Sequence, residues 1–201
     1  MSFIEKNCSL KTLRSVSDRL SGFSCGDSDL DEFFKKDARK YEYELFGKTY
    51  CFQHKDGEIA CLFTVSNGGI QSRQMKNNMR RKIAQAKRLI HNYPSVLIGR
   101  LAVSDKFQGK NVGSEVLDFL KIWFSDSHNK TGCRFLAVDA YNSEGVIRFY
   151  ARNRFDFIFK SEGEERKSLH LLESEPLRTR MMCFDLFQHS ISVEDNDKLS
   201  L

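Results

Sequence analysis

The octapeptide Phe107–Ser114, FQGKNVGS, follows the apolar run SVLIGRLAV (residues 95–103) and leads into an apolar-striped segment. Its residue types suit phosphate chemistry. Gly109 and Gly113 carry no Cβ where a ligand must approach the backbone, Asn111 tolerates a left-handed conformation, and Lys106 and Lys110 add positive charge. A loop that turns from a strand into a helix also presents the helix's first N–H groups, unpaired, at the positive end of the helix dipole, and such a place binds phosphate. The same glycines and asparagine occur in ordinary strand-to-helix turns, so on spacing alone both readings stand.

Other chemistries find no support. GFSCG (Gly22–Gly26) has the G-x-S-x-G spacing of a nucleophile elbow, but the preceding RSVSDRLS is not a buried strand, and a loop leading into a helix is expected. A P-loop ending at Gly109-Lys110 would need Gly at 104 and Ser or Thr at 111, where the chain has Ser104 and Asn111. There is no G-x-G-x-x-G and no H-E-x-x-H. The six cysteines (8, 25, 51, 61, 133, 183) contain no C-x-x-C pair, which argues against a disulfide framework and a zinc site. No metal is expected, and reduced thiols fit a cytoplasmic protein.

The elements that must position the octapeptide can be traced. With 201 residues, 40% of them hydrophobic, one packed domain is expected over residues 1–190, with a polar tail at 191–201. Asp27 and Ser28 are candidate N-caps for an amphipathic helix whose stripe is Leu30, Phe33, Phe34, Ala38, Tyr41 and Leu45. Lys55-Asp56-Gly57-Glu58 predicts a hairpin turn between two strands. Residues 71–92 hold seven Lys/Arg and no acid, with Met75, Met79, Ile83, Ala86 and Ile90 at helical spacing, a cationic helix that Tyr93-Pro94 should stop. The run at 95–103 is apolar enough for a strand buried on both faces. Val116, Leu117, Leu120, Trp123 and Phe124 form the next helical stripe, widened by Phe119 and Ile122. CRFLAVDA, FDFIF and TRMMCFDLF are predicted strands, SEGVIRFYARN a short helix, and residues 160–178 a charged linker. The sum is an α/β (α+β) domain around one mixed sheet.

IGRLAVSDKFQGKNVGSEVLDFL, followed by FLAVDAYNSEGVIRFYARNRF, resembles the Gcn5-related N-acetyltransferase (GNAT) superfamily. There a strand ending in L-A-V precedes a [QR]-x-x-G-x-[GA] loop that cradles the pyrophosphate of acetyl-CoA, and an N-x-x-A-x-x-F-Y segment lies one strand later. Gln108 and Gly113 match the ends of the loop motif, and Asn142 with Phe149-Tyr150 matches the later segment. The resemblance implies the GNAT fold, a central mixed β-sheet flanked by helices, and acetyl-CoA as cosubstrate. It implies that Leu101, Ala102 and Val103 present backbone groups to the pantetheine arm. The N–H groups of Gln108, Gly109, Lys110, Asn111, Val112, Gly113 and Ser114 would hold the diphosphate. Asn142 would bond the pantetheine or cap the following helix, and Tyr150 would protonate the CoA thiolate. Three positions depart from the pattern: Asn111 for the middle Gly of the loop, Gly145 for Ala, and Arg154 for the Gly before Phe155.

The segment 21–45 and the basic stretch 71–92 are also similar to a bacterial GNAT branch whose toxins acetylate the amine of aminoacyl-tRNA. That resemblance implies tRNA and an antitoxin as partners, and a homodimer as the assembly. An acid-free cationic helix suits RNA, because phosphate contacts dominate non-specific affinity. Small amines and protein amines are the other acceptors consistent with the residues. A non-catalytic acyl-CoA- or nucleic-acid-binding module is the other class, since fold does not fix function. No general base is legible; Glu144 and His91 have the right chemistry but no signal of position.

Overall fold

The computed structural model describes residues 2–83, 90–129, 131–172 and 174–187. Among the described residues seven strands form one mixed sheet in the order β1-β2-β3-β4-β5-β7-β6, accompanied by helices. It divides into two compact units, one of residues 1–66 and 98–120 and one of residues 67–97 and 121–201. β3 (Ile59–Gln71) and β4 (Asn92–Val103) each contribute to both.

The first unit opens with α1 (Phe3–Asn7), closed by a capping box between Ser2 and Glu5, and β1 (Cys8–Thr12). Asp27 caps the next helical run as its type predicts, accepting from the N–H groups of Asp29 at 3.0 Å and Leu30 at 3.1 Å. The run is α2 (Ser28–Glu32), a π turn (Phe33–Asp37) and α3 (Ala38–Tyr43). The π turn inserts residues into the helix and changes the phase of its stripe. Phe34 and Ala38 are buried and Leu30 and Phe33 pack on the same core, whereas Leu45 lies past the helix end at φ +62° and 87% exposed. The predicted hairpin joins β2 (Lys48–His54) to β3, with Gly57 at φ +91° in the turn. Leu13, Val16, Phe23, Phe34, Cys51, Leu62 and Ala102 form the core.

β4 differs from expectation. Ile98 and Ala102 are buried, but Gly99, Leu101 and Val103 are only half-buried and Arg100 is exposed, so one face of the strand end stays partly open. Pro94 lies inside the strand near its start, a position where the missing N–H is tolerated. α5 (Val112–Ser125) buries Val116, Leu117 and Leu120, but Ile122 is 60% exposed and does not widen the buried stripe. Its place is taken by Lys121, buried against the ring of Phe184 in the second unit.

The second unit holds α4 (Asn77–Ile83), β5 (Phe135–Tyr141), α6 (Glu144–Arg152), β6 (Asp156–Phe157), α7 (Glu162–Ser168) and β7 (Thr179–Asp185). β7 pairs antiparallel with β5, Phe135 opposite Asp185 and Tyr141 opposite Thr179, and with β6. The segment expected as a linker contains α7, whose Glu165 is buried and accepts from Arg180 Nε at 2.7 Å and the Met181 N–H at 2.6 Å. The cationic segment is helical over Asn77–Ile83, with Met75, Met79 and Ile83 on the core and Arg73, Arg80 and Arg81 exposed. Ala86, Lys87 and Arg88, the side chain of Lys82, and the expected tail at 191–201 lie outside the described residues.

Candidate active site

In the first unit the octapeptide turns sharply. A single 3₁₀ turn (Asp105–Phe107) follows β4, Gly109 takes φ +73° and Asn111 φ +62°, and α5 begins at Val112. A Cβ on Gly109 would meet nothing within 4 Å, so this glycine is required by its backbone angle rather than by space. Asn111 holds the left-handed conformation that its side chain tolerates. The first bond of α5 runs from the Glu115 N–H to the Asn111 carbonyl at 3.1 Å. The N–H groups of Val112, Gly113 and Ser114 therefore have no acceptor inside the helix and face the positive end of its dipole. That is the donor set a diphosphate fits, beside Gly109 and Lys110.

Gln108 has its donors engaged within the chain. Its backbone N–H is taken by the Ser104 carbonyl at 3.1 Å. Its side-chain amide donates to the carbonyls of Cys25 at 2.8 Å and Val103 at 3.1 Å and lies 3.3 Å from Asp105 Oδ1. It is a brace that ties the turn to the strand end and to the loop before α2. Lys106 is paired with Glu58 at 3.0 Å, so the loop's free positive charge is Lys110, which sits over the Phe107 ring. Glu115 would oppose an anion here, but its two oxygens accept from the N–H groups of Phe3 at 3.0 Å and Ile4 at 2.8 Å. The Phe3 ring in turn stacks on His54 and packs on Phe107. None of these long-range partners is visible in the octapeptide itself.

In the second unit α6 carries Tyr150, with Val146 and Ile147 half-buried on the same side, as the helical spacing predicts. The Tyr150 ring is 9% exposed and packs edge-on against Phe149 and Phe155. Its hydroxyl makes no hydrogen bond among the described residues. Burial raises its pKa well above the ordinary phenol value, so the proton is held throughout the neutral range. Full transfer to a thiolate, whose ordinary pKa is about 8.5, is uphill from such a phenol. Such a phenol is suited to donating a hydrogen bond rather than to giving up its proton outright.

Asn142 is not the cap of α6. Its amide donates to the Leu177 carbonyl at 3.0 Å and its backbone N–H bonds the Arg178 carbonyl at 2.8 Å, which pins the start of α6 to the segment before β7. Ser143 is the N-cap residue of α6, without a side-chain cap bond. Arg154 stands in the left-handed region at φ +69°, with its guanidinium 5.7 Å from the Phe184 ring centre.

The remaining titratable groups narrow the chemistry. Burial pushes the thiols of Cys25 up to about 11 and Cys51 up to about 12, so neither supplies a thiolate at neutral pH. Glu144 is exposed and paired with Arg148, and His91 is exposed. Among the described residues no cluster of three or more His, Cys, Asp or Glu could hold a metal ion.

No protein-family model matches the chain. A tRNA-acetylating toxin of Mycobacterium tuberculosis (strain ATCC 25618 / H37Rv) is 27% identical over 144 residues, 71% of this chain and 80% of that one. The solved structure of AtaT complexed with acetyl-methionyl-tRNAfMet matches with a TM-score of 0.71 at 17% identity, over 93% of this chain and 99% of that one. AtaTR bound with AcCoA gives a TM-score of 0.67 at 18% identity, over 94% and 99%. A Tyr-to-Phe mutant of KacT gives 0.68 at 19% identity, over 90% and 96%. The chain has the GNAT fold. Two of its three departures from the GNAT pattern, Asn111 and Arg154, are both left-handed, so each non-glycine residue keeps the backbone angle that glycine would supply. The third, Gly145, is exposed in the first turn of α6 with open space around it.

Proposed function

We propose that this protein is an acetyl-CoA-dependent N-acetyltransferase whose acceptor is the α-amine of an aminoacyl-tRNA, acting as the toxin of a toxin–antitoxin pair. The observation that carries the acceptor is the match, over 71% of the chain, to a tRNA-acetylating toxin. The turn before α5 supports the donor: unpaired helix N–H groups at Val112, Gly113 and Ser114, with Lys110 beside them, form a cradle for the diphosphate. The partly open face of β4 at Leu101 and Val103 suits an extended pantetheine arm, whose amides pair with strand backbone. In this reading Gln108 and Glu115 shape the cradle rather than touch the ligand, and Asn142 positions α6.

Chemistry at the acceptor fits the lack of an obvious base. A lysine amine, with a pKa near 10.4, needs a base to become nucleophilic, whereas an α-amine with a pKa of about 7.7–8.0 is substantially neutral at physiological pH. The amine attacks the thioester carbonyl and the C–S bond breaks; Tyr150 donates a hydrogen bond to the departing sulfur and passes it a proton that solvent returns to the phenol, while the new amide nitrogen loses a proton to solvent. Charged tRNA is found in the cytoplasm, so a cytoplasmic location belongs to this reading. An antitoxin partner is proposed because the AtaT structures include one bound to the C-terminus of the antitoxin AtaR.

The reading is tested by offering labelled acetyl-CoA together with charged tRNA, deacylated tRNA and cytosolic protein. Label is expected on charged tRNA and in alkali-labile linkage through the amino acid. Label confined to protein or small amines would refute the acceptor.

A further inference from the structure

On the first unit, Arg14 and Ser17 from the turns after β1 converge with Arg39, Lys40, Glu42 and Tyr43 of α3 on one groove of about 600 Å³. Arg14 and Arg39 are exposed and have no ion-pair partner among the described residues, and Lys40 has only a 3.9 Å approach to Glu44. Tyr43 is 82% exposed, a bare ring in the middle of this positive ground. No local pattern marks it, since Arg14 and Arg39 are 25 residues apart and Tyr43 sits next to the predicted apolar stripe.

We propose that this groove binds single-stranded RNA, and, on the reading that the acceptor is charged tRNA, that it holds the unpaired end of that molecule. Cations delivered from two separate elements into one concavity can take phosphates in bidentate fashion through the two guanidinium groups. The exposed Tyr43 face offers stacking to a base, the interaction that single-strand binders combine with a basic groove. Glu42 decides between RNA and an acidic peptide. A carboxylate in the lining accepts from base amino groups but repels an acidic side chain.

The test measures binding of a short fluorescein-labelled oligoribonucleotide ending in CCA, with an acidic peptide as competitor, to the wild type, Arg14→Ala/Arg39→Ala and Tyr43→Ala. Affinity is expected to fall about tenfold or more in each variant, and the double variant should lose about 1.4 from the salt slope, roughly 0.7 for each phosphate contact. Because all three side chains are exposed, melting temperature and acetyl-CoA affinity should not move. RNA affinity unchanged in both variants, no RNA binding by the wild type, or displacement of RNA by the acidic peptide at lower concentration than by RNA would overturn the proposal. Acetylation of charged tRNA is followed in parallel. Groove-dependent RNA binding without acetylation defeats the acceptor reading and leaves the groove standing; acetylation untouched by the groove variants, with RNA binding also untouched, defeats the groove and leaves the acceptor.

Discussion

In the turn before α5 the groups offered to a ligand belong to the backbone, and the side chains around them serve to hold its shape. On α6 the proposed group is a single phenol, and the backbone around it only carries a packed ring. The turn is exposed, has left-handed residues at Gly109 and Asn111, and is braced from Cys25 and from α1 through Glu115. Tyr150 is enclosed by Phe149 and Phe155. On the proposed function, side-chain identity should matter little in the turn except at the braces and at φ-constrained positions, whereas on α6 a single oxygen should decide the rate.

The largest test of that contrast is Tyr150→Phe. Turnover should fall by about 10²–10⁴, the usual worth of a positioned acid. Acetyl-CoA affinity and thermal stability should stay near wild type, because the ring packing survives and the hydroxyl has no partner among the described residues. Gln108→Ala should show the converse: acetyl-CoA binding weakened by up to about thirtyfold as two hydrogen bonds of about 1 kcal/mol each are lost, with the rate at saturating cofactor largely kept. If kcat falls instead, Gln108 is more than a brace.

Within the turn, Gly109→Ala should cost about 1–2 kcal/mol, because a Cβ at φ +73° is strained even though space is open. Asn111→Gly relieves a smaller version of the same strain and should tighten acetyl-CoA binding by no more than a few fold. Calorimetric titration separates the two, and a weakened Asn111→Gly would mean that the Asn111 side chain itself contributes. The smallest effect is in the pH profile. The acidic limb of the rate should track an amine titrating near 7.7–8.0. Since burial raises the Tyr150 pKa, the phenol remains protonated through pH 10, and the alkaline limb attributable to it should lie above that ordinary value. A limb at or below 10 would point to a different acid.

Much of the fold was legible because it rests on local signals: Asp27 as a cap, Asp56-Gly57 as a hairpin turn, and the stripe that puts Tyr150 on the buried side of α6. The left-handed angles at Gly109 and Asn111 were likewise readable from residue type. What was not legible depends on partners far along the chain. The bracing bond of Gln108 was hidden because its acceptor, the Cys25 carbonyl, is 83 residues away. Lys106 looked free because Glu58 belongs to the hairpin turn. Asn142 is engaged by Leu177 across the β5–β7 connection. α7 hid in a charged segment because its one buried residue, Glu165, is an acid whose burial makes sense only with Arg180 opposite. Its signal was present in Ser161 followed by Glu162, Glu164 and Glu165 at the first turn.

The central claim is a division of labour between a backbone cradle and a single phenol. Single-turnover transfer from acetyl-CoA to aminoacyl-tRNA, measured at saturating cofactor in Tyr150→Phe and Gln108→Ala with cofactor affinity determined alongside, tests it directly. A lost rate with normal affinity is expected in the first variant and a normal rate with weakened affinity in the second. Equal rates in wild type and Tyr150→Phe would contradict it.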